Sequence, residues 1–232
     1  MTQLLALDTS GTSCSVALWS DGGVLIGHQE HAERQHTQRL LPMVKALLEE
    51  ADITMASLDA IAYGRGPGSF TGIRIAAGVA QGLAFGIGCP VIPVSTLAAL
   101  ALRLHGDNAG PLAYACSLDA RMGEVYWGEY VIDPTHPKLA LSQVSETVCR
   151  PEQVQVMSAD YAACGSGMAV VNMPQNMLTS ALSVHSDLEP RALEMVRLAA
   201  ADFALGLLSA PEDALPVYLR DEVTWKKLPR YQ

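Results

Sequence analysis

Residues 4–19, LLALDTSGTSCSVALW, and residues 112–130, LAYACSLDARMGEVYWGEY, open the two halves of the chain with the same pattern. In each stretch an apolar strand ends on an aspartate, a turn of small or polar residues follows, and a second strand returns. This pattern predicts a β-hairpin at the start of each half. Internal duplication of this kind predicts two similar domains facing each other across a cleft.

The pattern between and after these hairpins alternates between strand and helix periods, which predicts an α/β protein. In the first half we expect strands over 24–29, 58–63 and 90–94, and helices over 37–50, 73–85 and 96–104. In the second half we expect strands over 139–144 and 161–164, a helix from Pro151 and a helix over 190–208. Thr37 is the expected N-cap of the first helix.

The best linker in the sequence is GDNAGP, residues 106–111. It divides the chain into an N-terminal domain over 1–106 and a smaller second domain over 110–189. The remaining residues, 190–232, are expected to form a helix and a tail that pack across both domains. A chain of 232 residues buries enough apolar surface to fold without disulfides or metals.

The bulk composition excludes some classes of function. The net charge is −9 and the pI is about 5.0, so the chain alone should bind nucleic acid poorly. Its five cysteines form no C-x-x-C pair and no signal peptide is visible, which indicates reduced thiols and a cytoplasmic location. Residues 75–94 are strongly apolar, but their glycines and prolines favour a buried helix and strand over a membrane span.

Three groups of residues are candidates for a nucleotide or phosphate site. The first turn supplies a carboxylate and hydroxyls that can hold a phosphate or a metal-bound water. An aspartate lies at the matching point of the second half, and the glycine-rich loop over 64–72 leads into a helix N-terminus, which favours an anion. The candidates are Asp8, Ser10, Thr12, Gly66, Gly68, Ser69 and Asp119. The competing interpretation is a capped turn and a tightly packed strand-to-helix crossover.

Several motifs are missing from the sequence. The glycine-rich loop lacks the Gly-Lys-Ser/Thr of a Walker loop, no zinc signature occurs, and GSG at residues 165–167 lacks the spacing of a nucleophile elbow. Gly78, Gly82 and Gly86 recur every four residues, and small residues on one helix face permit close helix packing. That packing can be within the chain or against another subunit.

The stretches AYGRGPGSFTGIR at 62–74, LDARMGEVY at 118–126 and PVYLR at 216–220 closely resemble the TsaB (YeaZ) family. The resemblance runs from Leu4 to about Pro229 and is loose over 134–190. It implies an actin-like, ribonuclease-H-like (ASKHA) fold of two βββα-type domains, the second shortened. Members of this family are partner subunits of the bacterial complex that makes threonylcarbamoyladenosine in tRNA.

The resemblance also implies a role without catalysis. The catalytic paralogue, TsaD, carries an HxxxH metal motif where this chain has Thr96 and Leu100, which cannot replace two imidazoles. No catalytic or metal-binding residue is therefore expected. The family pairs through its two N-terminal helices. Carried onto this sequence, the partner-binding residues are Leu40, Leu41, Val44, Leu47, Leu48, Ile75, Val79 and Gly82.

Two main hypotheses follow. In the first, the chain is an accessory subunit that activates a TsaD-like transferase together with a TsaE-like ATPase, for transfer to adenosine 37 of tRNAs reading A-starting codons. On this hypothesis the chain has no cofactor of its own, and ATP or ADP lies at the complex interface. It contacts tRNA only through the complex, and it forms a homodimer when alone. In the second, it is an actin-like ATPase or small-molecule kinase. A peptidase is disfavoured by the missing motifs.

Overall fold

The computed structural model describes residues 1–106, 113–133, 135 and 139–220. The predicted linker lies, apart from Gly106, outside these residues, as does the tail from Asp221. Within the described part there are two five-stranded sheets, each accompanied by helices.

The first sheet is formed by the N-terminal half. Its strands are β1 (Gln3–Asp8), β2 (Ser13–Ser20), β3 (Leu25–His31), β4 (Ala60–Gly66) and β5 (Val91–Ser95), in the order β3-β2-β1-β4-β5. Its helices are α1 (His36–Glu50), α2 (Phe70–Ile87) and α3 (Thr96–His105). β1 pairs antiparallel with β2 and parallel with β4.

The second sheet repeats this plan. Its strands are β6 (Ala113–Arg121), β7 (Glu124–Ile132), β8 (Ala140–Cys149), β9 (Tyr161–Cys164) and β10 (Val184–His185), in the order β10-β9-β6-β7-β8. β6 pairs antiparallel with β7 and parallel with β9, as β1 does with β2 and β4. The predicted duplication and the actin-like, ribonuclease-H-like architecture are therefore confirmed. The second unit is shorter, because the helix expected from Pro151 is one 3₁₀ turn, Pro151–Gln153.

The strand period of two separates the side chains into layers. From β1, Leu5 and Leu7 pack beneath α1 and α2, whereas Leu4 and Ala6 face a central layer. That layer contains α3 and α5 (Ala192–Ala204) and lies between the two sheets, because residues of β6, β7 and β9 belong to the same apolar cluster. A third cluster, which includes Trp127 and Met177 of α4 (Gln175–Ser180), covers the outer face of the second sheet.

Several predicted boundaries were wrong by one to three residues. α2 begins at Phe70 instead of Ile73, because the Ser69 hydroxyl caps it by accepting from Gly72 N–H at 3.4 Å. α1 begins at His36 behind Gln35, which makes no side-chain cap, so Thr37 lies inside the helix. β6 extends to Arg121, so Asp119 belongs to a strand and not to a turn.

The structure bears on two expectations from composition, the apolar stretch that was read as a buried helix and the reduced cysteines. α2 is the one helix among the described residues that is long and apolar enough to cross a membrane, and 33% of it is buried against the first sheet. Core helices pass the same test. All five cysteines are free, four of them buried, and Cys116 and Cys164 approach to 3.6 Å between sulfurs without a bond. Burial raises the pKa of the Cys14 thiol to about 12, so it is unreactive.

Candidate functional site

Asp8 ends β1 and is completely buried beneath the first turn. Its Oδ2 accepts hydrogen bonds from the Ser10 amide at 3.2 Å and from the Ser10 hydroxyl at 2.9 Å. Its Oδ1 is buried and has no hydrogen-bond partner among the described residues. Burial raises the pKa of this carboxyl to about 7, and the Ser10 hydrogen bonds oppose that rise. Asp8 is thus partly protonated at neutral pH.

The glycine-rich loop packs directly against this turn. A Cβ on Gly64 would lie 2.0 Å from Asp8 Oδ1, and one on Gly68 would lie 2.8 Å from the Ser10 carbonyl oxygen. Ser69 N–H donates to that same carbonyl at 2.8 Å. Close packing therefore explains both glycines, against the Asp8 side chain at Gly64 and against the Ser10 backbone at Gly68, which is the crossover interpretation. Gly66 is buried too, with φ at +103°, near the carbonyl of Val217.

Thr12 faces a carboxylate that the sequence analysis missed. Glu189 Oε1 accepts from the Thr12 amide at 3.1 Å and from its hydroxyl at 2.6 Å, and Oε2 accepts from the Ser13 hydroxyl at 2.6 Å. Glu189 lies 177 residues from Thr12 in the sequence, just before α5. No local pattern could connect the two, since only the return of the chain to the first unit brings them together.

Asp119 makes contacts of its own on the second unit. Its Oδ1 accepts from the Arg121 amide at 2.7 Å, its Oδ2 lies 3.2 Å from Arg121 Nη1, and its amide donates to the Ser166 hydroxyl. The described contacts thus join Asp8, Ser10, Gly68 and Ser69 into one cluster and leave Asp119 outside it. No group of three metal-ligating side chains occurs among the residues that the structure describes.

The expected partner-binding residues divide into two sets. Leu40, Val44, Leu47 and Leu48 are buried between α1 and the first sheet, so the expectation that they form a partner surface is wrong. The spacing of these residues is that of the ordinary inward face of an amphipathic helix, and it was the family resemblance that assigned them to a partner.

The second set is accessible. Leu41 is 48% exposed and Gly82 is exposed, while Ile75 and Val79 are half-buried. Gly78, Gly82 and Gly86 have nothing within 4 Å of an added Cβ, and Phe85 beside them is 71% exposed. We call Leu41, Gly78, Gly82, Phe85 and Gly86 the α1–α2 face. A bare glycine stripe of this kind permits close approach by another helix.

The three sequence motifs of the family resemblance lie together in space. In the segment over 214–220, Val217 N–H donates to the Arg65 carbonyl at 2.8 Å. The Tyr218 hydroxyl accepts from Arg74 Nε at 2.8 Å, and the Arg74 guanidinium lies 3.6 Å from the centre of the exposed Phe70 ring. Arg220 then bonds the Glu124 carboxylate and the Ala120 carbonyl on the second unit.

A cavity of about 480 Å³ opens between the two units next to this segment. At its polar end, Glu146 forms an ion pair with Arg65 at 3.0 Å and accepts from the hydroxyls of Ser95 and Tyr130. Burial and the neighbouring Glu146 charge raise the pKa of Tyr130 well above its usual range, so this hydroxyl stays protonated. The sequence analysis did not predict this cluster.

Thr96 and Leu100, which the sequence analysis compared with the HxxxH motif of TsaD, are fully buried. The Thr96 hydroxyl donates to the Pro67 carbonyl, and Leu100 packs in the central layer. Core packing therefore accounts for both side chains.

The two sheets of matching strand order define a two-unit α/β protein of the actin-like type. A family model described as "TsaD: tRNA N6-adenosine threonylcarbamoyltransferase" matches residues 20–222. The chain is 43% identical to the tRNA threonylcarbamoyladenosine biosynthesis protein TsaB of Escherichia coli (strain K12), over 98% of both chains. It is 39% identical to the Haemophilus influenzae TsaB, over 97% of both chains. The chain belongs to the TsaB family of tRNA threonylcarbamoyladenosine biosynthesis proteins.

A solved structure supports the same placement. YeaZ from Pseudomonas aeruginosa superposes with a TM-score of 0.87 and 44% sequence identity, covering 94% of this chain and 100% of that one. The resemblance inferred from the three motifs is therefore confirmed, together with a role in the biosynthesis of threonylcarbamoyladenosine in tRNA.

Proposed function

We propose that this chain is a non-catalytic subunit that binds and activates a TsaD-like catalytic paralogue, acting with a TsaE-like ATPase in the cytoplasm. In this role the chain has no transferase activity of its own, and tRNA binds to the complex and not to this chain alone. ATP or ADP would act at the complex interface. The observation that carries the proposal is the exposed glycine stripe of α2. Membership of the TsaB family of tRNA threonylcarbamoyladenosine biosynthesis proteins supports it.

The geometry of the first unit favours the subunit role over catalysis. The positions of the paralogue's histidines hold Thr96 and Leu100, both completely buried. An acidic chain with a net charge of −9 is a poor ligand for a tRNA backbone by itself. The α1–α2 face instead offers apolar and backbone surface that a helix pair from a partner, or from a second copy of the chain, can cover.

The test is reconstitution of threonylcarbamoyl transfer to tRNA by the cognate TsaD-like and TsaE-like proteins, with and without this chain. The variant Leu41→Glu/Gly82→Gln changes two exposed positions, so it should fold normally. We expect it to lose partner binding and to lower the stimulated rate by about tenfold or more. The matched control is Leu182→Glu, which changes an apolar residue 62% exposed on the second unit and should keep full activity.

Transfer that proceeds equally well without the chain would disprove the subunit role. Transfer that needs the chain but tolerates Leu41→Glu/Gly82→Gln would leave the role intact and move the interface elsewhere. Light scattering on the isolated wild type and variant tests the expected homodimer in the same experiment.

The alternative of an ATPase or kinase is favoured by one observation, the buried and unpartnered Oδ1 of Asp8. The positions of the glycine-rich loop and of the Glu189 carboxylate disfavour this alternative. Their atoms fill the space beside the β1–β2 turn that a nucleotide phosphate would need. ATP hydrolysis by the purified chain that disappears in Asp8→Ala would support this alternative.

A further inference from the structure

The cavity between the two units has no part in the subunit role proposed above. Its volume is about 480 Å³, which lies within the range of pockets that bind small molecules. It is lined by β4, β5 and α3 of the first unit, by β7 and β8 of the second, and by α5 of the central layer. Leu219, in the segment over 214–220, lines it as well. A molecule bound in this cavity would therefore contact both units and the segment.

Apolar side chains form one part of the cavity wall. Val94, Ala98 and Leu198 line it and are buried. Leu141 and Leu219 line it and are half-buried. Apolar surface of this kind is removed from water only when an apolar group covers it, so the wall favours a ligand with an aliphatic part.

The guanidinium of Arg65 supplies the positive charge of the cavity. Its Nη2 forms an ion pair with Glu146 at 3.0 Å, and the side chain stays 24% exposed. An arginine has five N–H donors, so this ion pair leaves donors for an acceptor that enters the cavity. A carboxylate is the acceptor that fits a guanidinium best, because two parallel hydrogen bonds can form.

Two acidic side chains, Glu146 and Asp202, line the same cavity. Glu146 accepts from the hydroxyls of Ser95 and Tyr130 in addition to its ion pair, and these contacts fix its position. A carboxylate has about four acceptor sites, so Glu146 can accept one further donor. Asp202 lies one helix turn beyond Leu198 on α5. An excess of acidic over basic side chains disfavours a phosphate ester and favours a ligand that brings a cation with its carboxylate.

Arg65 and Glu146 lie side by side, which is the arrangement that an α-amino acid needs. The ammonium and carboxylate groups of an α-amino acid are attached to one carbon, so their partners must be a neighbouring anion and cation. Glu146 Oε2 and Arg65 Nη2 are such neighbours, and the aliphatic wall continues from them through Ala98 and Leu198.

We propose that this cavity is a binding site for an aliphatic α-amino acid. The ligand carboxylate pairs with Arg65, its ammonium group pairs with Glu146, and its side chain packs against Ala98 and Leu198. Because the ligand contacts both units, its binding stabilises the folded chain. This inference does not depend on the partner role proposed above.

The experiment measures thermal unfolding of the full chain with L-leucine, 4-methylpentanoate or 3-methylbutylamine. The second compound lacks the ammonium group and the third lacks the carboxylate. At roughly 10 mM, L-leucine should raise the Tm by about 3–5 °C in a saturable manner, with a Kd on the order of 1 mM. The other two compounds should give much smaller shifts, because each meets one member of the ion pair. Glycine at the same concentration measures the general effect of a zwitterion.

Two variants test where the ligand binds. Arg65→Gln removes the cation and should lose the leucine shift. Ala98→Leu fills the cavity from α3 and keeps every charged group, so it should lose the shift as well. The matched control is Gln143→Leu, which changes an exposed residue of β8 outside the cavity lining and should keep the shift. If Arg65→Gln does not fold, Ala98→Leu makes the comparison, with equilibrium dialysis of radiolabelled leucine as the second measurement.

A leucine shift in wild type no larger than that of glycine would overturn the proposal. A shift of equal size from 4-methylpentanoate or 3-methylbutylamine would overturn the assignment to an amino acid. A leucine shift that survives in either folded variant would place the ligand outside this cavity and overturn the proposal too.

Discussion

At the scale of single residues, Asp8 is a buried acid whose protonation is linked to stability. Its pKa is about 7 in the folded chain, against an ordinary value of 3.8 for a solvated aspartate, chiefly because burial disfavours the charged form. The folded state therefore binds the proton more tightly than the unfolded chain does between pH 4 and 7. Stability should fall as pH rises through this window and level off above it.

Asp8→Asn removes this titration and keeps an acceptor for Ser10. Relative to wild type, the variant should gain stability from pH 4.5 to pH 8, by up to about 4 kcal/mol for the full shift. Urea unfolding at several pH values measures the difference, in which the titrations of the six histidines cancel. Parallel stability profiles for the two proteins would mean that Asp8 is ionised throughout.

At the scale of elements, α2 uses glycine for two different reasons. At Gly72, in its first turn, a Cβ would lie 1.9 Å from the Thr9 carbonyl oxygen, so the helix can approach β1 only without a side chain. At Gly86, in its last turn, a Cβ would meet nothing within 4 Å. Glycine at this position lowers the stability of the helix, and no close contact within the isolated chain requires it.

The matched pair Gly72→Ala and Gly86→Ala tests this difference within one helix. Gly86→Ala should stabilise the isolated chain by about 0.5–1 kcal/mol, the usual helix preference of alanine over glycine. Gly72→Ala should destabilise it by roughly 1–3 kcal/mol or more, because backbone atoms must move. Chemical denaturation of both variants gives the comparison, and similar effects at the two positions would contradict it.

The sequence predicted the elements better than their ends or the roles of their residues. Strand and helix periods gave the α/β order and the duplication, because each depends on neighbours in the chain. The start of α2 was misplaced because its cap depends on how Ser69 turns against Ser10. The four leucine and valine positions of α1 were assigned to a partner from the family resemblance. The helix period could not correct this, because periodicity identifies an apolar face and not what covers it.

At the scale of the whole molecule, long-range contacts decide the site, and these were beyond sequence reasoning. Glu189 contacts Thr12 from 177 residues away in the sequence, and Glu146 on β8 of the second sheet pairs with Arg65 on β4 of the first. The segment over 214–220 likewise returns from the C-terminal side to contact both units. It bonds β4 through Val217 and the β6–β7 hairpin through Arg220. We infer that this segment ties the two units together.

The attachment of the segment over 214–220 to the second unit should depend on Arg220 far more than on Arg121. Arg220 is partly buried and bonds both a carboxylate and a carbonyl, whereas Arg121 is 84% exposed beside Asp119. We expect a coupling energy of about 1–3 kcal/mol between Arg220 and Glu124 in a double-mutant cycle, and about 0–1 kcal/mol between Arg121 and Asp119. Arg220→Ala should also speed amide exchange at Val217, whose N–H is bonded to Arg65. Unchanged exchange at Val217 would show that contacts to the first unit, such as Arg74 with Tyr218, hold the segment without Arg220.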